Sequence, residues 1–289
     1  MQFRKLSLVH LIALLCLVVF AYSTNSIASQ KDGLLKIYFL DVGQGDSELI
    51  ETPSGQQILI DGGPDGKVLQ QLGKIMPFYD HGIDMVIASH PHSDHIAGLI
   101  DVLGRYDVKN IIEAKETYNS PEDRAWEDAI AKEGAQNEEA IDGKEIDFGD
   151  GVRLMILYPF ASVVGTTTDK PHDDMVVAML QYGSLKILFT GDMEAKVERQ
   201  LILNGDDLKA DVLKVGHHGS NTSTTEELLA EVQPKVAFIE VGAKNRYGHP
   251  SPDVLSRLEN FGIKYYRTDI NGDIKLTSDG TSYLISAEK

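Results

Sequence analysis

Apolar residues recur along this chain with two spacings, and the alternation between them defines its elements. From residue 34 the spacing is that of strands: Leu35-Lys36-Ile37-Tyr38-Phe39-Leu40 leads into a glycine-rich turn, Val42-Gly43-Gln44-Gly45-Asp46. Ser47 to Glu51 and Gln57 to Ile60 follow as two more strands around Pro53-Ser54-Gly55. Val68 to Ile75 changes to helical spacing and stops near Pro77, and Met85 to Ala88 is a short apolar strand. Helix and strand then alternate to the end. Helices are predicted over 96–103, 121–132, 194–203, 225–231 and 252–260. Strands are predicted over 110–113, 152–158, 175–181, 185–190, 212–215, 235–240, 264–267, 273–276 and 282–285. The polar, acidic stretch 133–145 reads as a surface insertion. Strands first, then mixed strand and helix in two comparable halves, predict an α/β fold of two sheets packed face to face with helices outside. No linker divides residues 34–287, which read as one domain, and no dinucleotide-binding βαβ fingerprint is present.

The amino terminus does not fit this pattern. Arg4 and Lys5 precede an apolar run, Leu6 to Ala21, followed by polar residues and the small-x-small site Ser26-Ile27-Ala28. This is the composition of a secretory signal peptide over residues 1–28. The run is shorter than the ~20 residues of a spanning helix, so cleavage is expected, with no stable membrane association afterwards. The single cysteine, Cys16, lies inside the run and is followed by Leu17, so it is not placed for lipidation and the mature chain has no disulfide. Losing Arg4 and Lys5 takes the net charge from −17 to about −19. So acidic a surface repels polyanions at long range and argues against strong non-specific nucleic-acid binding. It leaves open a phosphate-ester substrate held by metal ions and local cations.

The chemistry lies where strands end. His90-Pro91-His92-Ser93-Asp94-His95 follows the strand ending at Ala88 and precedes a helix. Imidazoles and a carboxylate in one loop suit zinc, iron or manganese, and can serve two ions. Phe189-Thr190-Gly191-Asp192 places another carboxylate after an apolar strand, as a bridging ligand or as a helix cap. Leu213-Lys214-Val215-Gly216-His217-His218-Gly219-Ser220 ends a further strand; one histidine serves a metal or the substrate, while the other packs or orients it. Asn245-Arg246-Tyr247-Gly248-His249-Pro250 closes the next connection, with His249 as a last ligand or a surface residue.

The histidine motif resembles the first signature of the metallo-β-lactamase superfamily. The stretches Leu40 to Ser47, Leu59 to Gly63, Phe189 to Asp192, Leu213 to Ser220, Asn245 to Pro250 and Tyr266 to Asp269 resemble, in the same order, the metallo-β-lactamase domain of ComEC-type competence proteins and its free-standing relatives. The resemblance implies an αββα sandwich with a two-metal site, zinc or manganese, at one edge. His90, His92 and Asp192 would hold the first ion, and Asp94, His95, Asp192 and His249 the second. Asp94 would also orient the attacking water, His218 would donate a proton to the leaving group, and Lys214 and Arg246 would meet developing negative charge. The family's third histidine for the first ion has no plain counterpart; Pro171-His172-Asp173-Asp174 stands in that region, so His172 or Asp173 would complete the set, Asp173 being the candidate ligand, or the ion would be held weakly by two histidines and the bridge alone. The implied activity is a secreted phosphodiesterase or nuclease, since ComEC-type domains are thought to degrade the strand that is not transported. A hydrolase of a small ester, or a weakly catalytic metal- or nucleic-acid-binding protein, is the alternative.

The exported chain is expected to begin near Ser29. Amino-terminal sequencing of secreted protein checks this, and residues 1–28 retained in a membrane fraction would make the segment an anchor.

Overall fold

The alternation Leu35, Ile37, Phe39 points every second side chain of the first strand, Leu35–Phe39, to one face, while Lys36 and Tyr38 lie opposite. That face meets a second sheet. In the computed structural model, which describes residues 32–289, an eight-stranded sheet runs in the order Tyr283–Ala287, Ile274–Ser278, Leu35–Phe39, Glu48–Glu51, Gln57–Ile60, Gly82–Ile87, Asp107–Glu113, Gln136–Glu139. A seven-stranded sheet runs Lys264–Arg267, Val236–Ile239, Val212–Lys214, Leu185–Phe189, Val177–Tyr182, Val152–Tyr158, Glu145–Asp147. The predicted leader lies outside the described residues. Among those described, no helix is long and apolar enough to cross a membrane.

Between the sheets lies a core of Leu35, Ile37, Phe39, Ile58, Ile60, Leu154, Ile156, Ile187, Val212 and Phe238, with the Phe39 and Phe238 rings stacked 4.1 Å apart. Each such side chain contributes about 1.5–3 kcal/mol by leaving water. The central strands are apolar on both faces because helices cover the outside. Ile58 and Ile60 point inward, whereas Leu59 packs with Val68, Leu72 and Leu99 of helices Lys67–Ile75 and Ser93–Leu103. In the second sheet, Val236 and Phe238 point inward, and Ala237 and Ile239 meet Leu201, Leu228 and Val254 of helices Ala195–Asn204, Glu226–Val232 and Pro252–Asn260. The result is the predicted αββα sandwich.

Two expectations need correction. The stretch 133–145 is not an insertion: Gln136–Glu139 pairs with Asp107–Glu113 and Glu145–Asp147 pairs with Val152–Tyr158, so it supplies an edge strand to each sheet. Its charges misled the reading because edge strands face water and resist pairing with other chains by carrying charge. Thr117–Tyr118 and Thr167–Thr168 also pair, as a small parallel ribbon that sequence spacing did not reveal.

Strands Gln57–Ile60, Gly82–Ile87, Leu185–Phe189 and Val212–Lys214 all release their chains at one edge of the sandwich, and the carboxyl ends of strands are where open α/β sheets bind ligands. The helix carrying Asp94 and His95 is pinned there by close backbone approach. Gly62 N donates to His95 O at 2.8 Å and Gly98 N to Gly63 O at 2.9 Å. A Cβ on Gly98 would run into the Gly62 carbonyl. Gly98→Ala is therefore expected to destabilise the fold by about 1–3 kcal/mol. Gly73→Ala, on helix Lys67–Ile75 with nothing within 4 Å of its Cβ, should stabilise it by about 0.5–1 kcal/mol. Urea denaturation of the two variants is the measurement, and equal effects would refute the close-approach argument.

Candidate metal centre

Each strand end delivers its side chains through a constrained turn. After strand Val212–Lys214 the chain turns through His217 (φ 48°) and His218 (φ 53°), two successive non-glycine residues in the left-handed region. Such conformations persist only where surrounding bonds over-determine them. Here Ser223 Oγ donates to Gly216 O at 2.6 Å, Gly216 N donates to Thr224 Oγ1 at 3.2 Å, and His218 Nδ1 donates to Glu240 O at 3.0 Å. The turn sends the two imidazoles different ways, His218 into a buried cluster and His217 to the wall of a cavity.

Two adjoining donor sets result. In the first, His90 Nε2 and His172 Nε2 each lie 3.0 Å from His92 Nδ1. Asp192 Oδ2 is 3.9 Å from His90 Nε2 and 3.7 Å from His172 Nε2. In the second, His95 Nε2 is 3.3 Å from Asp192 Oδ1, and His218 Nε2 is 3.3 Å from Asp94 Oδ2 and 3.5 Å from Asp192 Oδ1. Asp192 turns one oxygen to each set. It is not a helix cap, because the helix that follows is capped at Glu194.

These donors fit divalent cations. Burial, reinforced by His95, holds His90 well below the usual imidazole range; burial with His172 beside it takes His92 down to about 4. At neutral pH, therefore, unprotonated nitrogens face one another. In the second set His95 Nε2, Asp192 Oδ1 and His218 Nε2 are buried without a hydrogen-bond partner, which is costly unless a cation engages them. Burial opposes charge on His218, but Asp192 and Asp46 outweigh it and push it up to about 10, the response of an imidazole to surplus negative charge. The outer nitrogens are oriented as metal-binding imidazoles require: His95 Nδ1 meets Asp61 Oδ2 at 2.7 Å, and His90 Nδ1 meets Ser89 Oγ at 3.0 Å. Asp61 also accepts Ser89 N at 2.8 Å and Ser89 Oγ at 2.6 Å, so one carboxylate aligns the whole histidine loop. The only sequence signal for it was a carboxylate at a strand end before Gly62-Gly63.

The structure brings His90, His92, Asp94, His95 and Asp192 together as the sequence predicts, and places five residues differently from expectation. His172, not Asp173, joins the first set. In the short turn Pro171–Asp173 the two side chains diverge, and Asp173 Oδ2 pairs with Lys196 Nζ at 2.7 Å. His218 occupies the second set, where its outer nitrogen is already committed, so it is not free to act as a proton donor. His249 stays on the rim, 5.8 Å between ring centres from His217 and stacked on Tyr247. Lys214 does not reach the cavity. It is fully buried, paired with Asp46, and donates to Gly191 O at 3.1 Å. Arg246 lies out on the rim over the Tyr247 ring.

A charged layer supports this floor. Glu48 and Glu240 are buried beside the Asp46–Lys214 pair. Burial and the Asp46 carboxylate push Glu48 up to about 8, and burial with Glu48 nearby raises Glu240 well above its usual range. At neutral pH this pair therefore shares at least one proton. Above the floor opens a cavity of about 390 Å³, walled by Gln44, Tyr118, Glu122, His217, Tyr247 and His249 among others. Glu194 Oε1 lies 3.2 Å from His217 Nδ1 and 3.7 Å from His172 Nδ1.

The family model for the metallo-beta-lactamase superfamily matches residues 40–242. The chain belongs to the metallo-beta-lactamase superfamily. It is 32% identical over 257 residues to ComE operon protein 3 of Bacillus subtilis, covering 83% of this chain and 32% of that protein. It is likewise 32% identical over 244 residues to Recombination protein 2 of Haemophilus influenzae, covering 82% of this chain and 28% of that one. The chain thus spans about a third of the length of these curated relatives. Among solved structures, CmlA, a diiron β-hydroxylase from Streptomyces venezuelae, superposes with a TM-score of 0.53 at 13% identity, over 84% of this chain and 54% of that one, a likeness of fold. The chain is accordingly a metal-dependent hydrolase by family, and its competence-protein similarity agrees with the motifs from Leu40 to Asp269.

His172→Ala, Asp192→Ala and His218→Ala should each lower the metal content of purified protein, Asp192→Ala most, because its two oxygens face both sets. Asp173→Ala and His249→Ala should leave it unchanged. Elemental analysis with circular dichroism as the fold control is the check; loss of metal from His249→Ala but not from His218→Ala would reverse the assignment.

Proposed function

We propose that this chain is an exported phosphodiesterase that cleaves nucleic-acid phosphodiesters with two divalent ions, zinc or manganese. The observation that carries the reading is the pair of donor sets sharing Asp192 on the floor of a cavity whose wall presents His217. Similarity to proteins named for competence and recombination supports a nucleic-acid substrate, and export rests on the amino-terminal pattern of residues 1–28.

His90, His92, His172 and Asp192 would hold one ion, and Asp94, His95, His218 and Asp192 the other. Two ions so held would polarise phosphoryl oxygens and lower the pKa of a water between them. Asp94, 29% exposed at its side chain, is the floor carboxylate nearest the cavity and serves to orient that water. His217 takes the proton-donor role first given to His218. Glu194 faces its Nδ1, which leaves Nε2, 3.6 Å from Asp192 Oδ2, to reach a leaving oxygen. General acid catalysis of this kind contributes roughly 10²–10⁴-fold. Lys214 acts at one remove, holding Asp46 and the Gly191 carbonyl beneath the floor.

His217→Ala should keep both metal equivalents and lower kcat about 100-fold on a dinucleotide, with a smaller loss on bis-p-nitrophenyl phosphate, whose leaving group needs little protonation. Equal losses on the two substrates would remove His217 from proton transfer. A β-lactam or lactone hydrolysed in preference to every phosphodiester would overturn the substrate class.

A further inference from the structure

Proteins that hold nucleic acid usually do so with lysines and arginines against phosphates, and affinity then falls steeply with salt. This cavity is built otherwise. Among the described residues no lysine or arginine lines it, with Arg246 only at its rim, and Glu122 and Asp94 add negative charge to a chain whose net charge is −17. The donor sets are also recessed, with His90, Asp192 and His218 each 2% exposed. At about 390 Å³ the cavity falls near the lower end of small-ligand pockets, roughly 300–1,000 Å³. A floor recessed in a cavity of this size suits a short fragment better than a duplex.

What the walls offer is two aromatic rings carried by different parts of the fold. Tyr118, in the ribbon Thr117–Tyr118, stands edge-on to His92 with centroids 5.3 Å apart. Tyr247 is stacked on His249 at 5.8 Å and 17°, with the Arg246 guanidinium 5.2 Å from its centroid. Tyr247 remains 56% exposed. Ser120 lies in the same walls, and its hydroxyl, which accepts Asp123 N at 2.9 Å, can still donate to a base edge. Stacking on aromatic side chains tolerates any base, because every base has a π-face, and its contribution does not depend on the sign of the local charge as a phosphate contact does.

We infer that the site takes short, single-stranded nucleotide phosphodiesters, one or two nucleotides at a time, and that Tyr118 and Tyr247 hold the bases flanking the scissile phosphate by stacking rather than by charge. This rests on the phosphodiesterase reading above and names its substrate class. Affinity then comes from bases and from the floor, and the acidic surface excludes long polyanions.

The test uses the metal-loaded full-length mature protein with four substrates: a dinucleotide, its abasic counterpart with the same backbone, a duplex, and bis-p-nitrophenyl phosphate. Expected are a KM at least about tenfold lower for the dinucleotide than for the abasic compound, and a log–log salt slope no steeper than about −1. Tyr247→Ala and Tyr118→Ala should each raise the dinucleotide KM about tenfold while leaving that of the abasic compound unchanged, and Tyr247→Trp and Tyr118→Trp should restore it. Equal KM values for the two compounds, or preference for duplex with a steep salt slope, would overturn the inference while cleavage of bis-p-nitrophenyl phosphate still upheld the phosphodiesterase. Failure on all four substrates would overturn both.

Discussion

Asp192 is the point on which the rest of this structure converges. Its two oxygens face two sets of imidazole and carboxylate donors a few ångströms apart, most of them buried. Lone pairs crowded this way cost free energy unless a cation lies between them, so a fold that assembles them must hold each one from behind. The strand ends do so. Ser89 and Asp61 hold the histidine loop, the Glu240 carbonyl fixes the His218 ring, and Glu194 stands behind His172. The left-handed pair His217–His218 belongs to the same constraint: backbone strain is accepted because the turn must aim one imidazole down and leave the next in the wall.

Beneath the floor lies a layer that is polar for the same reason. Lys214 is fully buried, and burial disfavours its charge, yet Asp46 and the surrounding carboxylates hold it well above the usual lysine range. Removing one partner of such a pair strands the other in a low-dielectric interior, which costs more than the pair itself contributes. Lys214 therefore belongs to the architecture of the site. Its ammonium spans from the glycine-rich turn at Asp46 to the Gly191 carbonyl and so ties the two sheets together at the edge where they release the donor residues.

An acidic shell around a centre proposed to act on phosphate esters is consistent once range is considered. At physiological salt, charges beyond about 8 Å are screened, so the surface acts on large polyanions arriving from a distance. The floor acts only on a group that has already entered. Selection by size and by aromatic contact can then coexist with a net charge that opposes the substrate class as a whole.

The sandwich was legible in the residues themselves because period-2 and period-3.6 hydrophobic spacing is a local property of the chain. So was the core of the centre, since His90, His92, Asp94 and His95 are neighbours in sequence and Asp192 announces itself at a strand end. What the sequence could not decide was which of two adjacent residues faces inward. His172 against Asp173 and His217 against His218 differ by one position, and in a short turn that position is set by packing partners such as Lys196 and Glu240, which are distant in the chain. Lys214 failed as a catalytic assignment for a related reason: proximity to a motif along the chain says nothing about depth. The edge strands at 136–139 and 145–147 were hidden because charge on an exposed strand carries the composition of a loop. Composition, periodicity and strand-end chemistry are written locally, whereas the direction and burial of a single side chain are settled only when elements far apart in sequence close around it.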